Sequence, residues 1–241
     1  MDNKFTNTYT LILELEQLGL VKRTFRRLDP ERQQVVVTAM LEEAADAGPL
    51  DLNIKRVAER SGVSVGSLYQ YFGSRENLLA FAIELVVRST VALFNEARPM
   101  LAQMPLREGL SAYLQGGMEW TAAQRGAARF FARAAYQGDA GLSEKVVAPI
   151  AAVMLDMVRD MLTAAQDRGE LRPGLDLEAA ARVVNTVLIA VGDAQLLPYL
   201  NQYYLLTGET VTAQKAVEMV FSLLEHGLFL DLTHENSLSN S

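Results

Sequence analysis

Apolar residues recur at every third or fourth position along most of the 241-residue chain, which places them on one face of an α-helix. No segment sustains the alternation of apolar and polar residues that is typical of a half-buried strand. The pattern therefore predicts an all-α fold. Gly, Pro and helix-capping residues bound the predicted helices, which cover residues 8–20, 29–48, 53–62, 64–73, 75–97, 106–123, 126–137, 143–168, 176–200 and 210–231.

The predicted helices 53–62 and 64–73 are short and are joined by a tight break at Ser61-Gly62-Val63. Asn53 and Ser64 are residues favoured as N-caps at the starts of these helices. A glycine at such a turn is typical of a helix-turn-helix. The residues expected on the buried faces are Ile54, Val57, Ala58, Val63 and Leu68.

The second of these helices is predicted to expose hydroxyls, an amide, a small methyl surface and a glycine. Such groups suit phosphate oxygens and base edges, and the free N–H groups at the helix N-terminus favour an anion. The exposed residues are Ser64, Val65, Gly66, Ser67, Tyr69, Gln70 and Tyr71. The set predicts DNA binding, although a helix-turn-helix shape alone is also found where two helices merely pack together.

Residues 29–79 closely resemble the DNA-binding domain of the tetracycline-repressor (TetR) family. The matching blocks, at the family's spacing, are Ile54-x-x-Val57-Ala58, Ser61-Gly62-Val63-Ser64, Gly66-Ser67-Leu68-Tyr69-Gln70-Tyr71-Phe72 and Arg75-Glu76-Asn77-Leu78. The resemblance implies an N-terminal three-helix DNA-binding domain followed by a helical ligand-binding and dimerisation bundle.

Two positions depart from the family pattern. Asn53 stands where the family often has Thr, and its amide still suits a cap and a phosphate contact. Val65 stands where the family often has a basic residue, which removes an expected phosphate contact. By the same resemblance, Tyr69 and Tyr71 are expected to contact phosphates.

The DNA-binding prediction assigns residues to two roles. We expect Gln70 and Ser67 to read bases, with Val65 and Gly66 on the same face. The residues expected to hold the DNA backbone are Lys22, Arg23, Arg26, Arg27, Asn53, Ser64, Tyr69, Tyr71 and Arg75. The basic stretch 22–27 just precedes the domain and suits an arm on the DNA backbone or in the minor groove, while a solvated basic stretch is the alternative.

Composition limits the chemistry available to the chain. The sequence has no cysteine and two histidines, so thiolate metal sites and cysteine nucleophiles are excluded and histidine catalysis has little material. The net charge is −7; residues 1–88 hold 11 basic and 12 acidic residues, and the remainder holds 11 and 17. We expect no cofactor, no metal site and no enzymatic activity, the competing interpretation being a helical catalytic domain fused to a helix-turn-helix.

No membrane segment or targeting signal is predicted. The longest charge-free apolar stretch near the middle, Val183–Gly192, is much shorter than the roughly 20 residues that a spanning helix needs. Thr8–Leu20 carries two glutamates and lacks the basic start of a signal peptide. A cytoplasmic protein is therefore expected.

Four regions are predicted along the chain. They are an N-terminal helical extension with a basic arm at 1–28, the helix-turn-helix domain at 29–75, a ligand-binding and dimerisation domain at 76–232, and a flexible tail at 233–241. Helices 176–200 and 210–231 carry more apolar surface than one core needs, so we expect them to form a homodimer interface. The dimer is expected to bind a near-palindromic duplex.

The resemblance implies a ligand pocket between the helices at 106–137 and 143–168. The residues expected to line it are Tyr113, Trp120, Phe130, Phe131, Met154, Met157, Met161 and Asn185. The alternative is ordinary core packing for the aromatic and methionine side chains, and a surface or interface position for Asn185. The implied effector is a small, largely apolar molecule that releases a repressor from its operator, with helix 75–97 as the link. An all-helical interaction protein and a DNA-binding protein without ligand response remain as alternatives.

Overall fold

The computed structural model describes the backbone of residues 2–229 and the side chains of residues 10–197 and 199–229; the predicted tail 233–241 lies outside the described residues. The described residues form helices and no strand, apart from an isolated antiparallel bridge between Leu171 and Phe229. The predicted all-α fold is confirmed. The helices are α1 (Asp2–Gln17), α2 (Arg23–Arg26), α3 (Pro30–Ala47), α4 (Ile54–Ser61), α5 (Val65–Phe72), α6 (Arg75–Gln103), α7 (Leu106–Ala123), α8 (Arg125–Tyr136), α9 (Ala140–Leu142), α10 (Ala148–Asp167), α11 (Leu177–Leu196), α12 (Pro198–Tyr204) and α13 (Ala213–Leu228).

The chain folds into two compact units. The first unit contains the residues up to Ala92 together with Gln124–Ile150, and the second contains Leu93–Ala123 together with the residues from Ala151 onward. In the first unit α8 packs closely against α3, where a Cβ on Gly126 would stand 3.1 Å from the Cβ of Leu41. Residues 124–150 thus pack with the N-terminal part, a grouping that differs from the boundary expected at residue 76.

Aromatic rings form the centre of the first unit. Phe25 from α2, Phe72 from α5 and Phe81 from α6 are fully buried, with ring centroids 5.2 to 5.6 Å apart. Ile12 and Leu15 of α1 are buried in the same unit. Within the described side chains, the N-terminal extension therefore contributes to a folded core, and the basic stretch expected to form an arm includes the short packed helix α2.

The second unit is built on an apolar cluster that joins α6, α7, α10, α11 and α13. Its buried members are Leu101, Leu106, Leu110, Tyr113, Leu114, Met157, Val158, Met161, Leu162, Ala165, Leu171, Ala181, Val184, Leu188 and Leu228. A Cβ on Gly109 would lie 2.9 Å from the carbonyl oxygen of Leu101, so glycine permits the close approach of α7 to α6 there.

Helix α6 extends six residues beyond its predicted end near Ala97, through Pro99. Proline removes one backbone hydrogen bond from a helix interior, so contacts outside the helix must hold this turn. Arg98 donates from Nε to Asp160 of α10 at 2.9 Å, and Arg168 donates to the carbonyl oxygens of Ala102 and Met104 at 2.9 and 2.7 Å. These tertiary contacts stabilise the end of α6, which sequence pattern does not reveal.

Two predicted helices are interrupted. The helix expected at 143–168 follows α9 through a π-helical turn at Ser143–Val147 before α10 begins. The helix expected at 176–200 ends at Leu196, and Pro198 begins α12. Proline is favoured in the first turn of a helix, which accounts for the new start.

Helix α6 is long enough and, with a mean hydropathy of 1.7 over an 18-residue window, apolar enough to span a membrane. This corrects the expectation that no segment reaches that length and composition. The apolar residues Leu78, Phe81, Leu85 and Val86 are buried within the first unit. In total, 33% of the apolar window is buried within the fold, so core packing accounts for part of the composition of α6.

Candidate nucleic-acid interface

Helices α4 and α5 are joined by a turn whose geometry requires glycine. Gly62 has φ of +68° and its N–H donates to the carbonyl oxygen of Ala58, ending α4 in the left-handed conformation that glycine adopts without strain. Val63 also donates to the Ala58 oxygen, at 3.2 Å. The predicted helix-turn-helix is thereby present, with Leu68 and Val57 buried on its inner faces.

Both helices are capped by their own side chains. Asn53 Oδ1 accepts a hydrogen bond from the Lys55 N–H at 2.9 Å. Ser64 Oγ accepts one from the Ser67 N–H at 3.0 Å and lies 2.8 Å from Ser67 Oγ. Asn53, Lys55, Ser64 and Gly66 are exposed, so the N-termini of α4 and α5 lie at the surface, where free N–H groups favour an anion.

The exposed face of α5 carries polar and aromatic groups. Gln70 is exposed and Tyr69 keeps 47% of its surface accessible, while Tyr71 and Ser67 are half-buried. Phe72 is fully buried on the opposite side. A short helix with an exposed amide and an exposed phenol has the chemistry required to contact base edges and phosphates.

Three of the four predicted basic residues before α3 are exposed: Lys22, Arg23 and Arg27. Arg26 is half-buried, and its guanidinium pairs with Glu16 of α1. Lys22 also donates its backbone N–H to the carbonyl oxygen of Tyr71 at 2.7 Å, so this basic group lies beside the C-terminus of α5. The DNA contacts assigned to these residues stay predictions.

Arg75 holds the loop that leads into α4. Its Nε donates to the carbonyl oxygen of Leu52 at 2.8 Å, and its Nη2 donates to that of Leu50. This loop ends at the cap residue Asn53. The predicted phosphate contact of Arg75 stays a prediction, and the structure adds a positioning role.

A surface groove of about 430 Å³ lies at the N-terminus of α4. Lys55 lines it beside Asn53 and Arg75, is exposed, and is absent from the predicted DNA-binding residues. Its place in the first turn of the first helix of the motif is the feature of the sequence that could have identified it. Thr24, whose hydroxyl donates to the carbonyl oxygen of Gln70, was also missed.

Ion pairs fix α4 and α8 to the C-terminal end of α3. Asp46 lies 2.8 Å from Arg60 of α4 and 3.1 Å from Arg129 of α8. The hydrogen bond from Arg60, together with the positive charge of Arg129, lowers the pKa of Asp46. Arg133 of α8 donates to the carbonyl oxygens of Ala45 and Asp46 at 3.1 and 3.2 Å.

The predicted ligand-contacting residues are divided between the two units. Phe130 and Phe131 belong to the first unit; those in the second are Tyr113, Trp120, Met154, Met157, Met161 and Asn185. Tyr113, Met157 and Met161 are buried in the second unit's apolar cluster, where burial raises the pKa of the Tyr113 phenol. Asn185 is buried, and its Oδ1 has no hydrogen-bond partner among the described residues. Their role in ligand binding stays a prediction.

Residues 36–81, which run from α3 to the start of α6, match the family model for bacterial regulatory proteins of the tetR family. The HTH-type transcriptional regulator BetI 1 of Chromohalobacter salexigens is 30% identical over 92 residues, which are 38% of this chain and 45% of that protein. The chain spans about half the length of the curated relatives it matches.

Solved structures share the fold over most of the chain. The transcriptional regulator FadR from Bacillus subtilis, in complex with stearoyl-CoA, has a TM-score of 0.58 at 19% identity and covers 80% of this chain and 98% of its own. The SmeT–triclosan complex has a TM-score of 0.61 at 17% identity, with coverage of 84% and 93%. At these identities the likeness shows the fold.

Proposed function

Since the chain belongs to the tetR family of bacterial regulatory proteins, as its sequence motif predicted, we propose that it is a homodimeric repressor that binds a near-palindromic operator and is released by a small, largely apolar effector. The observation that carries the proposal is the exposed face of α5, presented by a capped helix-turn-helix. The protein acts in the cytoplasm through DNA binding rather than catalysis.

Recognition by α5 combines base and backbone contacts. Gln70 is exposed and its side-chain amide is suited to bidentate pairing with adenine in the major groove. Tyr69, Tyr71 and the basic residues Lys22, Arg23 and Arg27 supply phosphate contacts, which set the register without reading sequence. Asn53 and Lys55 add a second set of phosphate contacts at the N-terminus of α4.

Specific affinity requires two such domains, and the second unit offers a surface for pairing. Val183 of α11 and Met219 and Leu223 of α13 are 61%, 57% and 66% exposed on helices that contact each other. Burying such side chains across a two-fold axis is favourable and places the same surface on both subunits. These side chains favour the dimer interface predicted at 176–200 and 210–231.

The effector is proposed to bind in the second unit, near Tyr113 and Met157. Methionine side chains adapt to irregular ligands, and the buried Tyr113 phenol can donate a hydrogen bond to a polar group of the effector. FadR and SmeT, which share the fold, are complexed with stearoyl-CoA, whose acyl chain is apolar, and with triclosan. Helix α6 is continuous from Arg75 next to α5 into the second unit, so it supplies a covalent route for the switch.

The operator-binding proposal is tested by selection from random duplexes followed by fluorescence anisotropy. Gln70→Ala is expected to change the preference at one base pair, by roughly 1–3 kcal/mol of discrimination, since a bidentate contact is lost. Tyr71→Ala is expected to weaken binding to all sequences alike. Gln166→Ala, an exposed glutamine of α10, serves as the matched control. An unaltered selected profile for Gln70→Ala would contradict the base-reading role, and no selected duplex at all would favour an all-helical interaction protein.

The switch is tested by screening hydrophobic compounds for a rise in melting temperature and titrating each hit into the operator complex. Coupling of about 1–3 kcal/mol is expected to lower operator affinity roughly 5- to 150-fold. Linkage requires operator DNA to weaken the hit's binding by the same factor. A hit with equal affinity in the presence and absence of operator would contradict the proposed release.

A further inference from the structure

The C-terminal end of α5 presents backbone carbonyls that the helix itself does not pair. The last four carbonyls of any α-helix lack intrahelical donors. Here the Gly73 N–H satisfies the Tyr69 oxygen at 2.8 Å. The next carbonyl oxygen, that of Gln70, accepts from Thr24 Oγ1 at 2.7 Å, and that of Tyr71 accepts from the Lys22 N–H at 2.7 Å. A segment 46 residues away therefore completes the end of the recognition helix.

Helix α2, which carries Thr24, is held in place by aromatic packing. Phe25 is fully buried, and its ring centroid lies 5.2 Å from that of Phe72 and 5.6 Å from that of Phe81. Because Phe72 ends α5 and Phe81 lies on α6, the ring of Phe25 fixes α2 against both helices. The buried ring of Phe25 thus fixes the position of its neighbour Thr24.

Polar contacts hold the C-terminal end of α2. Gln33 of α3 is buried, and its Nε2 donates to the carbonyl oxygens of Phe25, Arg26 and Leu28 at 3.2, 3.0 and 3.2 Å. Arg26 pairs with Glu16 of α1, so the N-terminal extension also contributes. Rigid support of this kind is what a positioning group requires.

We propose that Thr24 is a positioning residue for sequence recognition: its hydroxyl fixes the backbone at Gln70 and so directs the side chain that reads the base. The inference rests on the proposed function of α5. The bond between Thr24 and Gln70 is exposed to solvent, so water replaces the lost hydroxyl at little cost in stability. Water does not fix the direction of the Gln70 carbonyl, so the loss of the Thr24 hydroxyl weakens base recognition.

The test compares variants at one position. Thr24→Val keeps the shape and removes the donor, and it is expected to lower operator affinity about two- to tenfold, the usual value of one hydrogen bond, with little change in melting temperature. Thr24→Ser restores the donor and is expected to restore affinity. Thr163→Val is the matched control, because the exposed Thr163 hydroxyl also donates to a backbone carbonyl, that of Arg159 at 2.9 Å in the second unit.

A double-mutant cycle separates positioning from a merely structural role. If Thr24 acts through Gln70, Thr24→Val reduces discrimination at the base pair read by Gln70 in the native chain and has no further effect on it in the Gln70→Ala variant. Additive losses, an unchanged affinity of Thr24→Val, or a fall in melting temperature that accounts for the lost binding would each overturn the inference while leaving operator binding intact. Failure of the native chain to bind any duplex would instead overturn the proposed function, and the inference with it.

Discussion

The candidate residues of the helix-turn-helix and those of the apolar cluster in the second unit differ in their exposure to solvent. In the helix-turn-helix, two eight-residue helices begin at a side-chain cap and end at a glycine. The second of them, α5, exposes Tyr69 and Gln70 to solvent. In the second unit, the candidate ligand residues Tyr113 and Met157 are buried among aliphatic side chains. The exposed face of α5 was predicted from the spacing of its residues within a recognisable motif. A buried aromatic or methionine has the same pattern whether it lines a pocket or fills a core.

The largest expected effect separates the two sides of one recognition helix. Phe72→Ala should destabilise the protein by about 3–5 kcal/mol, since it removes a fully buried ring between Phe25 and Phe81. Tyr69→Ala, on the exposed face, should change stability by at most about 0.5 kcal/mol while weakening DNA binding. Urea denaturation and fluorescence anisotropy measure the two quantities. Equal destabilisation by both variants would contradict the division of α5 into a core face and a DNA face.

The next prediction concerns the exposed apolar surface of the second unit. Leu223→Glu should weaken self-association roughly tenfold or more, because the two-fold axis brings a new carboxylate on each subunit into an apolar interface. Sedimentation velocity over a concentration series measures this. Leu18→Glu, which alters a leucine that is 57% exposed in the first unit, is the matched control. A native chain that is monomeric at micromolar concentration would refute the interface.

Substituting a capping residue in the helix-turn-helix and one in the second unit should lower stability by similar amounts, so the two variants can be compared for their effect on operator affinity. Asn53 caps α4, and Asp176 caps α11 by accepting from the Ala179 N–H at 3.0 Å. Each substitution by alanine should cost about 1 kcal/mol. Only Asn53→Ala should also reduce operator affinity, because its amide faces the proposed DNA surface. Loss of DNA binding in Asp176→Ala to the same degree would show that affinity merely follows stability.

The smallest effect concerns the ion pairs beneath the helix-turn-helix. Because Arg60 and Arg129 lower the pKa of Asp46 from its ordinary value of 3.8, the ionised carboxylate stabilises the folded state. This contribution is fully present above about pH 4 and is lost as the pH falls through the lower pKa of the folded state. Asp46→Asn should therefore lower the melting temperature slightly at pH 7, and the difference from the native chain should narrow below pH 4. The difference in melting temperature between Arg60→Gln and the native chain should also narrow below pH 4. A difference that does not depend on pH would contradict the stabilising role of the Asp46 carboxylate.

The motif was predictable because its determinants are local. Asn53, Ser64 and Gly62 act within a few residues of their own position, so their spacing alone predicts the caps and the turn that the structure contains. The same reasoning did not predict that Lys22–Arg27 includes a short packed helix, because this packing depends on Phe72 and Phe81, which lie far away in sequence. Arg75, predicted to hold the DNA backbone, donates to the carbonyls of Leu50 and Leu52, a contact that no local pattern indicates.

The sequence by itself determined the all-α class, the helix-turn-helix and the polar face of α5, since helical periodicity, caps and exposed side chains follow from neighbouring residues. Only the tertiary structure decided that α6 continues past Pro99, where Arg98 and Arg168 make the contacts that the helix lacks. It also decided that α8 packs with α3 and that Thr24 completes the end of α5. These contacts join residues tens of positions apart, and their energies depend on where the folded chain brings each donor and acceptor together.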